Sequence, residues 1–154
     1  MKTRSGIRAS CLMAVAVTAC APVPSLHLDS ITPRAGTAVG PDSMLRADLR
    51  YRIPQFSPGH WLVLAVFQTT TSGVTMGGFV DTVKAGEQPR MPGQLPDSAG
   101  VYRLIEPFSS VWGNSSIARP FRVFFLLNQT TGPNSSHSVV KLGPYTYPIV
   151  AGRP

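Results

Sequence analysis

Residues 43–53, SMLRADLRYRI, alternate cleanly: Leu45, Ala47, Leu49, Tyr51 and Ile53 fall on one side, with Met44, Arg46, Asp48, Arg50 and Arg52 on the other. A period of two with one wet side predicts a half-buried strand of an antiparallel sheet. Residues 60–71, HWLVLAVFQTTT, behave differently, because Trp61, Val63, Ala65 and Phe67 are matched by Leu62, Leu64 and Val66 on the opposite side. Such a run predicts a central strand covered on both faces. RPFRVFFLLNQ repeats it, with Phe121, Val123, Phe125 and Leu127 opposed by Arg122, Phe124 and Leu126. Leu26, Leu28 and Ile31 suit a first edge strand, and VTMGGFVDTV, GVYRLIEPF and SVVKLGPYTYPIV are further short β-rich runs bounded by Gly, Pro, Asn or Ser.

About seven short strands after a leader predict an all-β fold, an antiparallel two-sheet sandwich. The 15 prolines and 14 glycines agree, since they interrupt the chain too often for long helices. The 154 residues fit one domain, and no internal repeat is visible. An amphipathic second strand, a third opening on Trp61 and a long apolar sixth make the chain resemble an immunoglobulin-like domain, with a transthyretin-like sandwich as the alternative. The usual inter-sheet cysteines are missing, and Leu49 with Val123 or Phe125 suits their places. The resemblance is architectural and brings no functional residues with it.

Both cysteines lie near the start. A basic opening (Lys2, Arg4, Arg8), an apolar segment from Cys11 to Val17 and the small residues Thr18 and Ala19 have the anatomy of a secretory leader. The apolar run is far short of the roughly 20 residues that span a bilayer. Val17-Thr18-Ala19-Cys20 resembles the lipobox of bacterial lipoproteins, with Val in place of the commoner Leu. That resemblance implies cleavage before Cys20, a diacylglycerol on its thiol and a membrane anchor; Ala21, not Asp, in the next position implies the outer membrane if the cell has one. Two or three acyl chains anchor a protein stably where one does not. The expected organisation is a lipoprotein signal peptide at 1–19, a lipidated tether at 20–25 and the sandwich at 26–154. With Cys11 discarded and Cys20 alkylated, no thiol or disulfide remains to support the fold.

The charge of +7 shrinks on the same reading, because removing Lys2, Arg4 and Arg8 from the 14 basic residues leaves 11 against 7 acidic ones. A scattered balance of +4 is no nucleic-acid footprint. Two groups stand out as interaction candidates. Arg46, Arg50 and Arg52 form an outward row of about 20 Å at strand rise, suited to lipid head groups or an anionic glycan. Trp112, Tyr145 and Tyr147 suit an adhesive aromatic patch. Each has a plainer reading, a solvated face for the first and core or edge packing for the second.

Catalytic chemistry finds no constellation. His27, His60 and His137 are isolated, so no metal is expected. No Gly-x-Ser-x-Gly elbow or Ser-x-x-Lys pair appears, and the seven acids (Asp29, Asp42, Asp48, Asp81, Glu87, Asp97, Glu106) are scattered, several at turns. Met76–Phe79 lacks the rest of a phosphate loop. Asn114, Asn128 and Asn134 match the glycosylation pattern but read as turn residues. The sequence therefore predicts an envelope lipoprotein without cofactor, a binding or structural module with a protein or glycan partner, not an enzyme. A secretion-apparatus component, as in type VI machines where small sandwich lipoproteins occur, and an envelope hydrolase or enzyme inhibitor are the alternatives.

Overall fold

The computed structural model describes residues 21–70, 93–132 and 135–150 and the backbone of 74–76. In chain order the elements are β1 (Ser25–Thr32), β2 (Met44–Arg52), β3 (Trp61–Gln68), β4 (Val74–Met76), β5 (Ala99–Pro107), α1 (Ser109–Trp112), β6 (Phe121–Gly132) and β7 (Ser135–Tyr147). They form two antiparallel sheets, one of order β1-β2-β5 and one of order β4-β3-β6-β7. This is an all-β two-sheet sandwich, with the second strand beside the fifth and the third, sixth and seventh adjacent, as an immunoglobulin-like order would have them, while β4 pairs with β3 and not with β5.

The alternation of β2 settles which of its sides is inside. Leu45, Ala47, Leu49 and Tyr51 are buried, while Met44, Arg46, Arg50 and Arg52 are exposed. Their inner side meets Trp61, Val63, Ala65 and Phe67 of β3 and Phe121, Val123, Phe125 and Leu127 of β6 in one core between the sheets. Leu49, Val123 and Phe125 are each fully buried, so apolar packing occupies the positions where inter-sheet cysteines are missing. Each such side chain contributes about 1.5–3 kcal/mol when fully buried.

β3 and β6 are the strands with two apolar faces, and they lie side by side in the middle of the larger sheet. Their outer faces carry a second cluster, Leu64, Val66, Phe124 and Leu126, against which Leu62 packs. Register sets Leu64 opposite Leu126 and Val66 opposite Phe124, so cross-strand contacts hold it together. The Lys141 ammonium sits 3.9 Å above the Phe124 ring. β7, at the edge, bends at a bulge between Val123 and Phe125 of its partner. Gly143 has φ +105 there, and a Cβ would stand 2.7 Å from the Val123 carbonyl oxygen. Only glycine accepts that combination at no steric cost.

β1 is the edge strand that its three apolar residues suggest, although it starts at Ser25 and so takes one residue from the expected tether. Ala21–Pro24 precede it without regular structure. Of VTMGGFVDTV only Val74–Met76 lies within the described residues. The short helix α1 stands between β5 and β6, where the sequence predicts no element. Among the described residues no helix is long and apolar enough to cross a membrane.

β2 and β3 run from one end of the sandwich to the other and back. Ser25, Arg52 and Ala99 form one rung at the end where β1 begins. Thr32, Arg46 and Ile105 form a rung near the other end, beyond which α1 and an edge-to-face cluster of Phe67, Phe108, Phe121 and Tyr147 close the core.

Candidate functional site

The outer side of β1-β2-β5 gathers most of the charge that the sequence singled out. Along it the rungs read Thr32, Arg46, Ile105; then Ser30, Asp48, Arg103; then His27, Arg50, Val101; then Ser25, Arg52, Ala99. The expected row of Arg46, Arg50 and Arg52 is therefore present on one exposed face, but it is interrupted by carboxylates.

A bulge in β1 creates the first interruption. The register moves from Leu28 opposite Leu49 to Ser30 opposite Asp48, leaving Asp29 as the extra residue, and both Asp29 and Ser30 are exposed. One bulged residue makes two consecutive side chains share a face. Arg50 donates from Nε (3.0 Å) and Nη2 (2.9 Å) to Asp29 Oδ2. The second interruption is Asp48, which accepts from Arg103 Nε at 2.7 Å and from the Ser30 hydroxyl at 2.9 Å. The hydrogen bond from Arg103, then that from Ser30, holds the Asp48 carboxyl below its ordinary value against a small opposing effect of burial, and Asp48 raises Arg103 in turn. Arg103 and Arg50 remain largely exposed, so these pairs organise the surface more than they stabilise the fold. Among the described residues, Arg46 and Arg52 have no carboxylate partner. The net charge of Arg46, Arg50, Arg52 and Arg103 against Asp29 and Asp48 is +2.

Among the described residues, two hollows border the arginines of β2 on this face. One, of about 400 Å³, runs beside Arg46, Asp48 and Arg103. The other, of about 680 Å³, opens between His27, Arg50, Arg52 and Val101 at the end where the chain enters β1. Gly100 lets the Tyr51 side chain approach the β5 backbone closely, since a Cβ there would lie 3.0 Å from the Tyr51 hydroxyl. Val101 is 57% exposed and gives this hollow an apolar wall.

The aromatic patch is corrected by the structure. Tyr147 is fully buried, packs against Phe108 at 5.4 Å and donates its hydroxyl to the Pro33 carbonyl at 3.0 Å. Burial, then the neighbouring Tyr145, pushes its phenol far above the ordinary value. Tyr145 is half-buried against Phe125, and burial raises it too. Trp112 leans on Phe121 with the Arg119 guanidinium 5.5 Å from its ring. The three belong to the core and its margin, and Tyr147 presents no surface. Cys20 lies outside the described residues.

The remaining polar candidates separate. Among the described residues, no three His, Cys, Asp or Glu come together as metal ligands, and His27, His60 and His137 are all exposed. Glu106, grouped in the sequence with scattered acids, is instead fully buried, and the Ser110 hydroxyl donates to it from α1. Its inward parity with Tyr102 and Leu104 is the signal that would have found it. Asn128 is buried and engaged with Ser136 and Ser138, whereas Asn114 accepts from the Ser116 amide as a turn residue does; Asn134 lies outside the described residues. No family model, curated protein or solved structure matches the chain.

Proposed function

We propose that the protein is a lipid-anchored module of a bacterial cell envelope, attached through Cys20, that binds or supports a partner and carries out no chemical step of its own. One observation carries the reading: Val17-Thr18-Ala19-Cys20 follows a basic opening and a short apolar segment, and the sandwich begins at Ser25, immediately beyond a short Pro-rich spacer. A thiol at that position is what thioether formation to a diacylglycerol requires, and the small neighbours let the extended chain enter a peptidase. Ala21 favours the outer membrane in a diderm cell. The exposed face of β1-β2-β5, with its surplus of arginines, is the binding surface, and its ligand is an anionic group on a lipid, glycan or protein.

Metabolic labelling with an alkyne fatty acid tests the anchor. Wild type should incorporate the label and fractionate with membranes, and Cys20→Ser should do neither and should accumulate with its leader uncut. Unlabelled wild type released from the envelope would overturn the reading.

A further inference from the structure

The hollow beside Arg52 sits at the point where the chain reaches the sandwich. Ser25 is the first residue of β1 and pairs with Arg52, which pairs with Ala99. All three line the hollow together with His27, Arg50 and Val101. From Cys20 to Ser25 a fully extended chain reaches at most about 17 Å. The hollow is therefore tied within that distance of any group attached to Cys20, whereas Arg46 lies roughly 20 Å further along the same strand.

Its chemistry is that of a bilayer surface contact. Arg52 has no carboxylate partner among the described residues, and Arg50, which also lines the hollow, uses Nε and Nη2 but not Nη1 in its pair with Asp29. Guanidinium groups pair with phosphate through parallel N–H donors. Val101 is 57% exposed between these cations, and Val23, in the spacer, is 75% exposed. An exposed valine beside arginines, with a second exposed valine in the spacer, suits the boundary where head-group phosphates overlie acyl chains.

We infer that the hollow formed by His27, Arg50, Arg52 and Val101 docks onto anionic phospholipid head groups of the bilayer that holds the Cys20 anchor. The inference rests on the lipid anchor proposed above. The docked domain stands on its Ser25–Arg52–Ala99 end, keeps that end shielded, and presents α1 and the loops beside it away from the membrane. The tether alone fixes distance but not orientation; the hollow fixes orientation.

The test uses the full mature lipidated protein in nanodiscs that carry a spin label on the lipid head group, with amide signals read by NMR. In discs containing phosphatidylglycerol, Arg52, Gly100 and Val101 should broaden while Val111 and Trp112 should not. Discs of phosphatidylcholine alone should leave all of them sharp. Arg52→Ala should lower the docked population about fivefold, the worth of one arginine near an anionic surface, and Arg34→Ala, an equal change of charge at an exposed position in the loop that follows β1, should leave it unchanged. Equal loss in both variants would mean diffuse attraction without a site, and broadening at α1 would mean the opposite orientation; either overturns the inference. A chain that fails to co-elute with discs overturns the anchor and the inference together, whereas co-elution without broadening at Val101 overturns the inference alone.

Discussion

The two outer faces of the sandwich are built on strands of similar length and have opposite characters. On β2, every outward position but Met44 is an arginine or an aspartate, and the face is wet and carries the Arg50–Asp29 and Arg103–Asp48 pairs. On β3 and β6, the outward positions Leu64, Val66, Phe124 and Leu126 are at most 8% exposed and form a second apolar cluster. The difference teaches that the sheet order follows from what each outer face requires. A strand with one apolar face can stand at the surface, whereas a strand with two must lie where both are covered. The polar face stays at the surface, and the apolar one contributes to folding.

That contrast can be broken by mutation. The largest effect belongs to the inner core, where Phe125→Ala should cost about 3–5 kcal/mol in denaturant unfolding. On the apolar outer face Phe124→Ala should cost about 2–4 kcal/mol by the same cavity argument; a loss under about 0.5 kcal/mol would make that face an ordinary surface. Tyr147→Phe removes the hydroxyl that bonds Pro33 and should cost about 1 kcal/mol at neutral pH. Its pH dependence has a definite sign. The folded phenol is raised above its ordinary value of 10.0, so its contribution is complete below that value and is lost as pH rises through the folded one. Alkaline melting scans should therefore fall less steeply for Tyr147→Phe than for wild type, with Tyr145, also raised by burial, still contributing.

The smallest effects belong to the polar face. Asp48 titrates below its ordinary 3.8, so the stability tied to it is present above that value and disappears as pH falls through the folded one. Arg103→Ala should move the Asp48 midpoint upward in a carboxyl NMR titration while leaving the melting temperature at pH 7 nearly unchanged. Arg46→Ala should change stability by no more than about 0.5 kcal/mol. A large loss in either variant would make the arginine face part of the folding framework.

The same contrast decides how much was legible beforehand. Alternation in residues 43–53 and double-sided apolarity in β3 and β6 announced the sheets, because burial acts directly on residue type. Asp29 and Arg103 were missed as members of the arginine face because their roles depend on register. The break in spacing from Leu28 to Ile31 marks the bulge, but its consequence needs the partner strand. Tyr145 and Tyr147 misled as a patch because an aromatic ring suits a core as well as a surface. Their place opposite Val123 and Phe121 in the β6 ladder turns them inward. The helix α1, four residues long, is too short to carry a helical period.

The anchor proposed at Cys20 underlies the proposed role of the arginine face at an envelope surface, and intact mass spectrometry of the protein extracted from its own membranes tests it most directly. The account predicts a chain that begins at Cys20 and carries a diacylglycerol with or without a third acyl chain. An unmodified chain beginning at Ala21 or later, or one that retains Met1 through Ala19, would contradict it.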